Sequence, residues 1–172
     1  MIYLRKATTA DVAAIMPIIA QAREFLGKSG SDQWQAEYPA QSDIENFIYK
    51  AVGYVLIVDE KVAGFCAVIT GEDTQYTKIY NGEWLNDSLD YVTVHCLALS
   101  DHYRGLGLTK YLFSNIFTLM QARGYKDFRV DTHPANAVMQ AVFEREGFEK
   151  RGMVFYEGDR IAYQLLLEEG DE

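Results

Sequence analysis

Residues Arg104-Gly-Leu-Gly107-Leu-Thr109 follow an apolar run, Tyr91 to Leu99, and lead into a stretch where Leu108, Tyr111, Leu112, Ile116, Leu119 and Met120 recur at helical spacing. Two glycines stand where a strand must turn tightly into a helix. Glycine adopts positive φ without a steric penalty and lets a ligand approach the main chain closely. The first N–H groups of a helix lack intrahelical partners and carry a partial positive charge, so this turn suits a phosphate or diphosphate. Other phosphate signatures are missing: a dinucleotide fingerprint needs a third glycine, and a P-loop needs Gly-Lys-Ser/Thr. His95, His102, His133, Cys66 and Cys96 are scattered without metal-ligand spacing, so no metal is expected.

These residues need a scaffold, and its elements can be read along the chain. Tyr3–Lys6 reads as a short edge strand. Thr8-x-x-Asp11 offers a helix-opening box, followed by Val12, Ile15, Met16, Ile19, Ala22 and Leu26 at helical spacing until Gly27 and Gly30. Ser42-x-x-Glu45 is expected to open a second helix. Tyr54–Val58 and Val62–Ile69 read as a hairpin, and the polar, aromatic stretch 71–88 as a long loop. After the central strand and its helix, which ends near Gly124, come a strand at Phe128–Asp131 and a helix at 135–146 closed by Gly147. A final hairpin joins Phe148–Tyr156 to Ile161–Leu167. The order β-α-α-β-β-β-α-β-α-β-β predicts one α/β domain with a mixed sheet of about seven strands and about four helices.

Composition narrows the function. The 172 residues are 49% hydrophobic, enough for a substantial core. With 16 Lys and Arg against 25 Asp and Glu, the net charge of −9 disfavours a nucleic-acid or anionic-membrane binder. Two cysteines in apolar runs imply buried thiols in a reducing compartment. No stretch resembles a signal peptide or a membrane span, so a cytoplasmic location is expected. Positions 168–172 read as a solvated acidic tail after a domain at 2–167.

A second signature follows the turn: Asp131-Thr-His133-Pro-Ala-Asn136, then an amphipathic helix through Phe143 to Gly147-Phe148. Together the two signatures resemble the GNAT N-acetyltransferases over nearly the whole chain. The resemblance implies that the sheet splays between its two central parallel strands, at Val94–Leu99 and Phe128–His133, to admit acetyl-CoA. It further implies that Arg104, Gly105, Leu106, Gly107, Leu108 and Thr109 hold the diphosphate, with Thr109 replacing the family's last small residue. Main-chain groups of Leu97, Ala98 and Leu99 would pair with the pantetheine arm, and an N–H near Leu97 would stabilise the thioester oxyanion. Asn136 would bind the same arm. Phe143 stands where many relatives carry a tyrosine that protonates the leaving thiolate.

The resemblance makes the acceptor an amine of a small molecule or peptide. At a free pKa of about 10.4, only about one amine in a few thousand is neutral at pH 7, so a base must act. Thr93 takes the place of the carboxylate found in many relatives. His133 and His95 are therefore the candidate bases and exposed His102 a weaker one, while Tyr156 is the candidate acid. Cys96, alternating with His95 and Leu97, is expected on the opposite strand face. The loop 27–39 would overlie the acceptor, with Trp34 and Tyr38 as walls and Glu37 or Asp32 available to a cation. Tyr76, Tyr80 and Trp84 of the 71–88 loop offer a second wall or a dimer contact, a homodimer being common among relatives. The absent tyrosine and carboxylate leave a second expectation open, a non-catalytic acyl-CoA-binding module.

Overall fold

The computed structural model describes residues 1–168; positions 169–172 of the expected acidic tail lie outside them. Seven strands form one mixed sheet in the order β1-β2-β3-β4-β5-β7-β6. In chain order these are β1 (Ile2–Lys6), β2 (Gly53–Val58), β3 (Lys61–Thr70), β4 (Val92–Leu99), β5 (Asp127–Thr132), β6 (Glu149–Phe155) and β7 (Asp159–Leu166). The helices are α1 (Val12–Lys28), α2 (Gln41–Tyr49), α3 (Leu108–Gln121) and α4 (Ala137–Arg145), with single 3-10 turns at Thr9–Asp11 and Asp101–Tyr103. β4 and β5 run parallel, with Val92 opposite Phe128 and Thr93 opposite Arg129. The expected element order and sheet class are those observed.

The residues fall into two compact units, one comprising 1–68 and 95–116, the other 69–94 and 117–172. In the first unit, Ile15, Ile18 and Ile19 of α1 and Ile44 of α2 bury against Val55, Ile57 and Phe65 of the sheet. Aliphatic residues at helical spacing meet a two-residue strand period, so both patterns resolve into one apolar layer. The first unit is also fastened electrostatically. Arg5 donates to both carboxylate oxygens of Asp11 at 2.8 and 2.9 Å, and the Thr8 N–H donates to Asp11 at 2.7 Å. Arg5 above all holds the buried Asp11 carboxyl down at about 2.

Several expected boundaries move. Gly27 lies inside α1; the helix ends at Lys28, and Gly30, at φ +80°, makes the left-handed exit. α2 opens at Ala40, whose N–H donates to Asp43 at 2.7 Å, rather than at Ser42 with Glu45. α3 stops at Gln121 and α4 spans Ala137–Arg145; Gly124 and Gly147 follow at φ +91° and +97°. Tyr156 lies beyond the end of β6, in the β6–β7 turn.

In the second unit, Tyr76 and Tyr91 bury with Val154 and Ala162, and Ile79, Trp84 and Tyr156 pack on them. A row of rings, Phe117 on Phe128 and Phe148, then Phe148 on Phe143 and Phe143 on Tyr163, supports α4. The 71–91 segment also pairs with an edge: Tyr80 and Met153 exchange main-chain hydrogen bonds at 2.9 and 2.8 Å. A Cβ on Gly82 would lie 1.8 Å from the Arg151 carbonyl oxygen, so only glycine permits this close approach.

Candidate functional site

β4 delivers the chain to the glycine turn. The Ser100 N–H donates to the Ala63 carbonyl at 2.7 Å, and the Ser100 hydroxyl accepts from the His102 N–H at 3.4 Å. Leu99 fits because residue 64 is glycine: a Cβ there would sit 2.4 Å from Leu99 Cδ2. Beyond the 3-10 turn, Gly105 and Gly107 take φ +81° and +66°, and nothing lies within 4 Å of a Cβ built on either. Conformation, not crowding, demands glycine here. Leu108 is buried and seats the start of α3, whereas Arg104, Gly105, Leu106 and Gly107 are exposed and Thr109 half-buried.

The donors of this turn decide what it can bind. The Lys110 N–H is spent on the Gly107 carbonyl at 3.1 Å and the Leu106 N–H on the Tyr103 carbonyl at 3.3 Å. The N–H groups of Gly105, Gly107 and Leu108 make no hydrogen bond among the described residues. Arg104 stands beside them, its guanidinium carbon 5.8 Å from the centre of the Phe25 ring, and Lys110 is exposed one turn on. Open N–H groups at a helix start, flanked by cations, fit a diphosphate.

In the same unit, Leu97 and Leu99 are half-buried and Ala98 is buried. His95 is half-buried just before a break in strand regularity, because Cys96 takes φ +53°. Burial nevertheless alternates through it, with His95, Leu97 and Leu99 half-buried and Cys96 and Ala98 buried in the core, so Cys96 lies on the face opposite His95 and Leu97, as expected. Its thiol reaches the α1–α2 loop, where the Tyr38 hydroxyl lies 3.3 Å from Sγ. Arg23 clamps that loop, donating from Nε to the Trp34 carbonyl at 2.9 Å and from Nη2 to the Pro39 carbonyl at 2.8 Å. Trp34 and Tyr38 are half-buried against the core, while Asp32 and Glu37 stand exposed. Both cysteines are buried and unbridged, and burial pushes the Cys66 thiol far up.

The second unit holds the other expected residues. Asn136 caps α4: its Oδ1 accepts from the Met139 N–H at 3.0 Å, leaving Nδ2 as an unspent donor among the described residues. His133 Nδ1 accepts the Ala135 N–H at 2.9 Å, which assigns the proton of the neutral ring to Nε2. Phe143 is buried between the rings of Phe148 and Tyr163, at 5.6 and 5.3 Å. Tyr156 is half-buried with its ring edge-on to Tyr76 at 6.3 Å.

The 71–91 segment is closed rather than open. Tyr76 is fully buried and its hydroxyl donates to Asp131 at 2.5 Å; burial first, then Asp131, raises its pKa well above the usual tyrosine value. Trp84 Nε1 donates to the Tyr76 carbonyl at 2.8 Å. Arg129 lies over the rings of Trp84 and Tyr91, 4.6 and 4.0 Å from their centres, and is paired with Asp127 at 3.0 Å. Asn86, Ser88 and Gln164 complete this buried network. Sequence reasoning missed it, because its members lie up to 79 positions apart along the chain. Alternation along β5, which puts Asp127, Arg129 and Asp131 on one face, was the one signal available.

The acetyltransferase (GNAT) family profile matches residues 19–148. A GNAT-family acetyltransferase from Streptococcus agalactiae superposes with a TM-score of 0.92 at 36% identity, covering 98% of this chain and 96% of its own. A putative acetyltransferase from Staphylococcus aureus gives 0.72 at 25% identity, over 96% and 99%. The PaiA N-acetyltransferase from Thermoplasma acidophilum, solved with coenzyme A, gives 0.74 at 14% identity over 97% and 99%, a likeness of fold alone. No curated protein matches the sequence.

Proposed function

Because this chain belongs to the GNAT acetyltransferase family, we propose that it moves the acetyl group of acetyl-CoA to a primary amine of a small molecule or peptide by direct attack. The observation that carries this reading is the set of open N–H groups at Gly105, Gly107 and Leu108 beside Arg104. They bind the CoA diphosphate, with the main chain of Leu106 and Thr109 shaping the cradle. Nδ2 of Asn136 donates to a pantetheine carbonyl, and Phe143 lends an apolar wall. Main-chain groups of Leu97, Ala98 and Leu99 pair with the pantetheine amides. An N–H at Leu97 steadies charge on the thioester oxygen, a contribution of roughly 3 kcal/mol where one such donor has been removed from other enzymes.

Of the two candidate bases, His95 is the better placed chemically. Nδ1 of His133 is occupied by a main-chain donor and its Nε2 carries the proton, so in this arrangement His133 donates rather than accepts. His95 removes a proton from the incoming ammonium, directly or through water, for a rate gain on the order of 10²–10⁴. Trp34 and Tyr38 wall the acceptor, and Tyr156 is the acid of this reading unless another phenol stands nearer the thioester. Its place of action in this reading is the cytoplasm.

A second reading, a non-catalytic acyl-CoA sensor, draws on Phe143, buried among rings where relatives carry a phenol, and on Thr93, buried with its hydroxyl 3.5 Å from the Ile69 carbonyl. One experiment separates the two. Purified protein is mixed with acetyl-CoA and a panel of alkyl amines, polyamines, amino acids, aminoglycosides and short peptides, and free thiol is followed. Amine-dependent CoA release supports transfer. Calorimetric CoA binding without release by any amine supports the sensor, and no binding removes both.

A further inference from the structure

Of the six residues other than glycine that hold left-handed backbone in the first unit, three surround one contact. Trp34 and Glu37, at φ +66° and +62°, shape the α1–α2 loop, and Cys96, at +53°, kinks β4. Such conformations persist only where the surroundings enforce them, and they gather at functional sites. The enforcement is visible: the Arg23 guanidinium takes the Trp34 and Pro39 carbonyls, and Gln35 Nε2 donates back to the Arg23 carbonyl at 3.0 Å. These bonds bracket Tyr38 in the chain and fix its hydroxyl 3.3 Å from Cys96 Sγ. Half-buried Tyr38 thus holds its hydroxyl beside the residue just before Leu97, whose N–H is proposed to meet the thioester oxygen.

We propose that Tyr38, in place of Tyr156, is a catalytic proton-transfer residue, and that its hydroxyl gives its proton to the sulfur leaving the thioester. The proposal rests on the acetyl-transfer reading. The acceptor nitrogen forms a bond to the acetyl carbon, the C–S bond breaks, and its electron pair goes to sulfur. The Tyr38 proton completes the CoA thiol. The phenolate then takes up the proton that the nitrogen sheds in becoming an amide, directly or through water, which restores the residue. The Cys96 S–H donates to the phenol oxygen and steadies the transient phenolate. Asp32 and Glu37 are the acids of the same loop, and Arg23, occupied by carbonyls, is its cation.

The test uses full-length protein, acetyl-CoA and the amine of the panel above that turns over fastest. Tyr38→Phe is expected to lower kcat by about 10²-fold, while calorimetric CoA affinity stays within twofold and the melting temperature within a few degrees. A variant that keeps more than half of wild-type kcat overturns the proposal. Should Tyr38→Phe fold poorly, 3-fluorotyrosine at position 38 replaces it, a near-isosteric and more acidic phenol. It is expected to move the alkaline limb of the kcat–pH profile to lower pH, and an unmoved limb overturns the proposal. Wild-type protein that binds CoA but releases none with any amine sinks the acetyl-transfer reading and this proposal with it; wild-type turnover indifferent to Tyr38 sinks this proposal alone.

Discussion

The turn at 104–109 and the segment at 71–91 are both irregular, and they spend their polar groups in opposite ways. In the segment nearly every donor with an assigned role has an internal acceptor: the Tyr76 hydroxyl meets Asp131, the Trp84 indole meets a carbonyl, and Arg129 is paired and stacked. In the turn, the N–H groups of Gly105, Gly107 and Leu108 have nothing among the described residues to accept them. Closed polar groups stabilise the fold, because an unpaired buried donor costs about 1–3 kcal/mol. Open ones at a helix start are available to a ligand. Substitutions in the segment should therefore move stability and leave CoA affinity alone, and those in the turn the reverse.

The largest expected effect tests the closed side. Arg129→Met keeps an apolar stem between Trp84 and Tyr91 but leaves buried Asp127 without its cation. Removing one partner of a buried pair costs about 3–5 kcal/mol. Chemical denaturation should show that loss, with CoA affinity unchanged in whatever fraction stays folded. On the open side, Gly107→Val forces a β-branched residue to φ +66° and turns the N–H groups away. Two charge-assisted hydrogen bonds lost, at about 1.5–3 kcal/mol each, amount to a drop in affinity on the order of 10²-fold or more. Calorimetry checks it. Unchanged affinity would mean that the diphosphate lies elsewhere.

The same contrast explains what the sequence disclosed. The turn was legible because its chemistry is local: glycine at positive φ, then the first turn of an amphipathic helix. Asn136 was named only for the cofactor arm; its cap on α4 was not foreseen, because the helix was expected from 135. The closed network was not, since Arg129 finds Asn86 at 43 positions' separation and only tertiary structure brings them together. The face of Cys96 was legible from the two-residue period, but its left-handed backbone was not, since no residue type announces it. Gly27 and Gly30 bracketed the end of α1 from the sequence, and the left-handed exit falls on Gly30.

A smaller, closed contact lets pH take the place of mutation. Asp11 titrates at about 2 in the folded protein, below its ordinary 3.8, because Arg5 and the Thr8 N–H hold the charged form. A depressed folded value means that the stabilisation is complete above the unfolded value and fades as pH falls from about 4 towards 2. The shift corresponds to about 2 kcal/mol at neutral pH. Asp11→Asn should lower stability at pH 7 by up to that amount and flatten the acid limb of the stability curve in that window, with CoA affinity untouched. An acid limb identical to wild type would show that the Arg5 contact contributes nothing.

Asn136 puts the two kinds of polar group on one side chain, and so tests the contrast most finely. Oδ1 is closed, accepting from Met139, while Nδ2 is open. Asn136→Ser keeps a hydroxyl able to cap α4 and removes only the open donor. Stability should stay within about 0.5 kcal/mol of wild type, while CoA affinity falls roughly three- to tenfold, the worth of one hydrogen bond. Asn136→Ala removes both, so it should lose the same affinity and about 1 kcal/mol of stability besides. The pair is decisive because each variant serves as the other's control. If Asn136→Ser binds CoA as wild type does, Asn136 is a cap and nothing more, and an unspent donor is no guide to where this protein meets its ligand.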